Sequence, residues 1–240
     1  MIRSRVGLGS ATVETVLPDE EFSPGDTVEA RIDVTGGRSD QRIDEFHCSI
    51  VAVGDAGGDD VEYEIDRFDL LEGFVIEAGE SERVPFTIAF PVWTPITREN
   101  VGVRIDLGAD ISWAVDPRDS VAVDVVPDPL IGATLDAVSA LEFEFQRSWL
   151  HEVDRVSDRE FVQVFEFEPG ADYEARVERL LLTPILEDDK LRLNVEIDRV
   201  DAVAEEYDLD FNRDEVSFAI STPDPSMIQG RIRTEIEHHS

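Results

Sequence analysis

Two runs with an apolar residue at every second position, each ended by a segment that contains proline, constrain this chain more than any other feature of its sequence. Every second residue from Val101 to Leu107 is apolar, so these side chains share one face of a strand. Asp116-Pro117 interrupts the pattern, because proline lacks a backbone donor and biases the preceding residue away from helix. The alternation resumes over residues 121–125 and ends at Pro127-Asp128-Pro129. The stretch therefore predicts a β-hairpin followed by a linker.

The residues before this hairpin repeat the same period-two pattern. Thr27–Thr35 is the clearest case, with apolar residues at even positions and polar residues at odd ones. Apolar residues change phase between Ile65 and Phe68, which predicts a β-bulge, and Pro85 marks its strand as an edge strand or a strand start. Seven strands without a helical period predict an immunoglobulin-like sandwich. The predicted strands are 11–17, 27–35, 43–53, 61–70, 84–90, 101–107 and 121–125.

Beyond Pro129 the pattern changes. Apolar residues at helical spacing predict a helix from Leu130 to Phe143. Pro225 stands where a second helix would start, and isoleucines at 228, 232 and 236 would give that helix one apolar face. Strands are predicted at 144–154, 160–168, 176–186, 190–200 and 216–220. We therefore expect two domains, residues 1–129 and residues 130–240, the second mostly β with a helix near either end.

The charge balance is the unusual part of the composition. The chain carries 55 acidic and 21 basic residues, a net charge of −34, and Lys190 is its only lysine. Residues 1–129 hold 28 acidic and 10 basic residues, so the excess is not confined to a tail. The use of arginine in place of lysine, together with an evenly distributed acidic excess, indicates adaptation to a salt-rich cytoplasm. At 1 M salt, charges are screened within about 3 Å, which weakens the repulsion among acidic residues.

The same composition argues against several classes of partner and location. No lysine and arginine cluster is available to bind phosphates, which disfavours nucleic acid and anionic membranes as partners. No run of eighteen apolar residues is present, and the first ten residues lack the apolar core of a signal peptide. Cys48 is the single cysteine, so a reducing compartment is the simpler assumption. These features predict an unexported cytoplasmic protein, and they leave the oligomeric state open.

No combination of residues in the sequence defines a catalytic, cofactor or metal site. His47 and Cys48 are adjacent in a predicted strand, so they point to opposite faces, and we expect a buried cysteine beside an exposed histidine. His151 is interpreted as a surface or interface residue. His238 and His239 could bind adventitious metal, but terminal disorder is the favoured interpretation.

Two patterns keep an enzymatic alternative open. The acidic loop Asp55–Asp60 contains oxygen ligands of the kind Ca²⁺ prefers, but it lacks the order of an EF-hand loop. Trp93, Trp113 and Trp149 could form a sugar-stacking platform, although tryptophans are more often core or interface anchors. A carbohydrate-active or metal-dependent β-sandwich enzyme is therefore the alternative to a binding protein.

Several segments of the chain form a set of motifs that keep a fixed order. They are GLGSATVETVL (7–17), SPGDTVEARIDVTGG (23–37), QRIDEF (41–46), FPVWTPIT (90–97), LGADISWAVDPRDSVAVDVVPDPLI (107–131), FVQVFEFEP (161–169) and RVERLLL (176–182). The Asp-Pro and Pro-Asp-Pro pair at 116–129 and the FEFEP stretch at 165–169 are the more specific of them. In these segments the chain resembles the sporulation-control SpoOM family, whose members look like arrestins.

The resemblance implies a mainly β fold of two arrestin-like β-sandwich domains in tandem. It also implies a non-catalytic adaptor that acts inside the cell by protein–protein interaction. From the residues themselves, Trp113 between the two hairpin strands, flanked by Ile111 and Val115, is the candidate partner-binding group. Its alternative role is packing at the end of the sandwich or against the second domain.

Overall fold

Strands dominate the structure, a computed structural model that describes residues 2–8, 11–18, 21–110, 118–153, 159–187, 189–200 and 213–239. Within these residues lie fourteen strands and two helices. In chain order they are β1 (Ile2–Leu8), β2 (Ala11–Leu17), β3 (Glu21–Phe22), β4 (Thr27–Thr35), β5 (Gln41–Ala56), β6 (Asp59–Ile76), β7 (Ser81–Ala89), β8 (Gly102–Asp110), β9 (Arg118–Val125), α1 (Pro129–Ser139), β10 (Glu144–Glu152), β11 (Phe161–Glu168), β12 (Val177–Glu187), β13 (Lys190–Arg199), β14 (Arg213–Ile220) and α2 (Pro225–His239).

The chain divides into two compact units. The first comprises residues 1–53, 62–97 and 102–126, and the second comprises 54–61, 98–101 and 127–240. The predicted domains 1–129 and 130–240 stay a prediction, since compactness alone does not test independent folding.

Two sheets make up the first unit. One has the order β1-β2-β4-β7 with antiparallel neighbours, and the other has the order β3-β9-β8-β5-β6. β4 buries the even-numbered face that its sequence predicts, with Ile32 and Val34 at most 1% exposed. β7 ends its sheet, so Pro85 does mark an edge strand.

The hairpin at the centre of the sequence argument forms as predicted. β8 pairs antiparallel with β9, and Val103 and Ile105 lie opposite Val123 and Val121. All four side chains are buried, which confirms the apolar face of both strands. The pairing continues beyond the predicted strand ends, to Gly108 opposite Arg118.

The predicted acidic loop at 54–60 is instead the tip of a long hairpin. β5 continues to Ala56 and β6 begins at Asp59, so only Gly57 and Gly58 make the turn. Both glycines have positive φ angles, 69° and 98°, as a two-residue hairpin turn requires. The burial pattern of β6 changes phase between Ile65 and Asp66, in agreement with the predicted bulge.

Sequence reasoning missed two strands of the first unit. β1 pairs along its whole length with β2. β3 is two residues long and pairs parallel with the end of β9, where Phe22 stacks on Phe90 at 5.0 Å between ring centroids. A two-residue strand between prolines carries no periodicity, so its position is set by the tertiary pairing.

The second unit contains one described sheet, of order β10-β11-β12-β13-β14, with antiparallel pairing throughout. α1 begins at Pro129, and the Asp128 side chain caps it by accepting a 2.8 Å hydrogen bond from the Leu130 amide. α2 buries Ile228, Ile232 and Ile236, the face its sequence predicts. The mainly β class is therefore confirmed, whereas the arrangement as two sandwiches in tandem stays a prediction.

Candidate protein-interaction surface

The residues singled out for chemistry do not converge on a reactive site. Cys48 is fully buried, and burial, followed by the nearby charge of Asp106, raises the pKa of its thiol to about 12. Within the described parts of the chain, no group of three or more His, Cys, Asp or Glu side chains is placed to hold a metal ion. Asp55 accepts a hydrogen bond from the Gly58 amide at 3.2 Å and so stabilises the hairpin turn.

Two histidine predictions are corrected. His47 is half-buried and not exposed, because it lies opposite Gly108, where a Cβ atom would come within 2.0 Å of the His47 Nε2. Its Nδ1 is buried, with no hydrogen-bond partner among the residues that the structure describes. His238 and His239 are not disordered but end α2, with their rings edge to face at 4.9 Å. His151 is exposed, as predicted.

A cluster of charged side chains joins β8 to β6 across β5. Arg104 donates to both oxygens of Glu62 at 2.8 and 2.7 Å, and to Asp106 at 2.9 Å. Ser120 donates to Asp106 on the other side. The hydrogen bond from Arg104 lowers the pKa of Glu62, and the two carboxylates raise the pKa of Arg104. Because these charged groups pair with one another, we interpret the cluster as a structural link between strands of the sheet.

The ends of the sheets differ in how open they are to a new strand. The outer edge of an end strand exposes backbone N–H and C=O groups that another chain can pair with. At β7, Pro85 removes one donor from the middle of the strand. β6 carries seven acidic residues and a single arginine, and such charge protects an edge. β14 contains no proline, and none of the described strands pairs with its outer side.

An apolar groove lies beside β14, between this strand and the start of α2. Its volume is about 230 Å³, and its lining residues are Phe218, Ala219, Ile220, Ser221, Thr222, Met227, Ile228 and Arg231. Met227 is 66% exposed, the highest value among the large apolar side chains that the structure describes. We refer to the outer edge of β14 together with this groove as the β14–α2 surface.

The position of Met227 is fixed by the capping of α2. The Asp224 carboxylate accepts hydrogen bonds from the amides of Ser226 at 2.9 Å and Met227 at 3.2 Å. One turn later, Gln229 donates to the Ala140 carbonyl at 2.9 Å, which ties α2 to the end of α1. Hydrogen bonds at the start of α2, and between α2 and the end of α1, therefore hold this wall of the groove in place.

Among the described residues that line this groove, Arg231 is the only charged one. Its guanidinium lies 5.2 Å from the centroid of the Phe218 ring, and its Nη2 is 2.8 Å from Glu235. The side chain is 55% exposed. Arginine has five N–H donors in a fixed plane, so one ion pair leaves others available.

A second groove in this unit is more polar. It has a volume of about 610 Å³ and is lined by Arg98, Leu135, Ser139, Glu142, Phe143, Glu144, Phe145 and Phe167. Arg98 stacks over Phe145 at 4.3 Å from the ring centroid. Its residues Glu144 and Phe145 belong to β10, the opposite end strand of the same sheet. The groove differs from the β14–α2 surface in having three charged residues in its lining, Arg98, Glu142 and Glu144.

The predicted partner-binding residues Trp113, Ile111 and Val115 lie outside the described residues, so their role stays a prediction. Trp93 and Trp149 are both half-buried, with Trp149 beneath Arg147 at 5.2 Å. The β14–α2 surface was not predicted. Its sequence signal was weak, since Met227 falls outside the isoleucine spacing at 228, 232 and 236 that predicts the apolar face of this helix.

The fold can be compared with known proteins at this point. The protein-family model described as "SpoOM protein" matches residues 2–201 of this chain. This chain belongs to the SpoOM protein family, as the sequence segments predicted.

Two relatives support this assignment. The "Sporulation-control protein spo0M" of Bacillus subtilis (strain 168) is 30% identical over 204 residues, which span 82% of this chain and 79% of the relative. The crystal structure of Spo0M, sporulation control protein, from Bacillus subtilis has a TM-score of 0.83 and 24% identity, with 97% of this chain and 100% of that chain covered. The family and the overall fold are therefore established. No helix among the described residues has the length and apolar character needed to cross a membrane.

Proposed function

We propose that this protein is a non-catalytic regulatory adaptor that binds other proteins, and that its β14–α2 surface is a binding site. The observation that carries the proposal is an end strand without proline, β14, with an apolar groove and the exposed Met227 beside it. The arrestin-like arrangement of two β-sandwich domains and a cytoplasmic location, both implied by the family resemblance, belong to the same proposal.

Strand addition explains how such a surface binds. In an antiparallel sheet every second residue of an end strand turns its N–H and C=O away from its neighbour. A segment that pairs with these groups gains about 0.5–1.5 kcal/mol net for each hydrogen bond. Burial of Met227 adds about 25 cal/mol for each Å² of apolar surface removed from water. High salt screens charge attraction but does not weaken apolar contact, so this surface suits a salt-rich cytoplasm.

The experiment compares proteins captured from the native host by the full chain and by two variants. Met227→Glu places a charge at the mouth of the groove, and we expect recovery of the bound partner to fall about tenfold or more. Val75→Glu is the matched control, because Val75 is also an exposed apolar residue, at 50%, but lies on β6.

The outcomes separate clearly. The proposal is supported if Met227→Glu loses partners that Val75→Glu and the unchanged chain retain, with equal melting temperatures for all three. An identical set of captured proteins for both variants would overturn the β14–α2 surface as the binding site.

A further inference from the structure

The chemistry of the groove defines the kind of segment that fits it. We propose that the β14–α2 surface takes an extended segment of a partner protein with apolar side chains at alternate positions and a carboxylate that pairs with Arg231. This inference rests on the proposed function and specifies the ligand of the same surface.

The shape of the surface favours an extended peptide. Along β14, Val216, Phe218 and Ile220 alternate with exposed residues and face the side on which Arg231 of α2 covers Phe218. A strand added to β14 would repeat its side chains at about 6.8 Å on that same side. The groove volume of about 230 Å³ is below the roughly 300–1,000 Å³ of pockets for small molecules. Single side chains of a strand match that size better than a compact ligand does.

The lining determines which side chains these are. Phe218, Met227 and Ile228 offer apolar contacts, whereas Ser221 and Thr222 at the end of β14 carry no charge. A partner side chain that enters the groove is therefore bound more tightly if it is apolar. The strand that Phe218 occupies is held by its pairing with Leu193 of β13, so the apolar wall is fixed before binding.

Arg231 determines the polar requirement. Phe218 lies under the guanidinium and Glu235 pairs with Nη2, so the plane of the guanidinium is oriented while other N–H groups remain exposed. A planar fork of this kind matches a carboxylate, either an acidic side chain or a chain terminus. A partner carboxylate near Phe218 would therefore complete the coordination of Arg231.

Charge also argues for a different protein and against a second copy of this chain. Antiparallel pairing of two β14 strands over their full length would place Asp214 and Glu215 of each copy opposite Ala219 and Phe218 of the other, which offer no positive charge.

The test uses a labelled six-residue peptide of alternating threonine and valine with a free C-terminal carboxylate, and the same peptide with a C-terminal amide. Binding to the full chain is measured by fluorescence anisotropy, and amide hydrogen exchange locates the site. We expect the carboxylate form to bind about three- to tenfold tighter than the amide and to protect β14.

Two arginine variants make the comparison specific. Arg231→Gln should remove the preference for the carboxylate while leaving the amide affinity unchanged. Arg233→Gln, an equal loss of charge at an exposed position on the same helix but outside the groove lining, should keep the preference.

The remaining outcomes overturn the inference in distinct ways. Equal binding of both peptides, or equal effects of the two arginine variants, contradicts the carboxylate requirement but leaves partner binding at β14 intact. Self-association by sedimentation that Met227→Glu abolishes assigns the surface to a second copy. The proposed function fails separately, if Met227→Glu leaves the proteins captured from the host unchanged.

Discussion

At the scale of single residues, the absence of a side chain is as important as its presence. Gly36 follows β4, and a Cβ atom there would lie 2.0 Å from the backbone oxygen of Glu77. Its amide also donates to the Glu80 carbonyl at 2.8 Å, so the chain cannot move away without losing that hydrogen bond. Gly230 is the opposite case, since it is exposed in α2 with nothing within 4 Å of an added Cβ.

These two glycines give opposite predictions for the same substitution. Gly36→Ala should lower the free energy of unfolding by about 1–3 kcal/mol, because the new methyl group meets backbone that cannot yield easily. Gly230→Ala should raise it by up to about 1 kcal/mol, because alanine is the better helix former. Denaturant unfolding of both variants checks this, and a stable Gly36→Ala variant would contradict the close approach.

Cys48 provides a chemical test of the core. Its pKa of about 12, against 9.0 for an ordinary thiol, means that the native protein keeps the thiol proton at pH 8. We expect no reaction with a thiol reagent at pH 8 in the folded state and one equivalent after unfolding. Between pH 9 and 12 only the unfolded chain loses this proton, so the thiol also lowers stability as the pH rises there. Rapid labelling of the native protein would show that Cys48 is accessible.

At the scale of elements, a buried carboxylate connects three strands of the second unit. Asp198 on β13 is 3% exposed and pairs with Arg179 of β12 and Arg213 of β14. The register places these residues directly opposite one another, so the ladder of charges follows from the strand pairing. Because the ladder ends at β14, it also holds the strand that the proposed partner pairs with.

Asp198→Asn should destabilise the protein by about 1–3 kcal/mol. An amide cannot balance two guanidinium groups, but both arginines are more than a third exposed, so solvent reduces the cost below that of a fully buried pair. The matched control is Asp214→Asn, whose carboxylate is 33% exposed and pairs with Arg199, and a loss below about 1 kcal/mol is expected. Equal losses in urea unfolding would contradict the bridging role.

Elements with a regular pattern could be predicted from sequence, and those defined by pairing could not. β4, β8, β9, β13 and α2 were predicted because one face of each is apolar at a fixed period. β1 was missed because two arginines, a serine and a glycine separate its few apolar residues. β5 ends later than expected because the two-glycine turn is shorter than its acidic surroundings suggest.

The candidate surface was harder to predict than the fold. That β14 is an end strand follows from sheet order, which no single segment encodes. The groove depends on where α2 lies against β14, and only the isoleucine spacing of α2 indicated that it packs at all. The predicted anchor, Trp113, was inferred from its residue type and from its place between the two hairpin strands.

At the scale of the whole molecule, the charge of −34 sets the conditions under which the fold is stable. Acidic residues repel one another in dilute buffer and are screened within about 3 Å at 1 M salt. We expect the melting temperature to rise steeply between dilute buffer and about 3 M KCl. Sodium chloride at equal ionic strength is the control for a specific ion effect, and an unchanged melting temperature would contradict adaptation to salt.

The central claim is that a partner protein pairs with the outer edge of β14. The most direct measurement is amide hydrogen exchange on the full chain, alone and in complex with a partner recovered from the host. We expect β14 and the first turn of α2 to become protected in the complex, while β7, with Pro85 in its middle, exchanges as before. Protection elsewhere, with β14 unchanged in the complex, would contradict it.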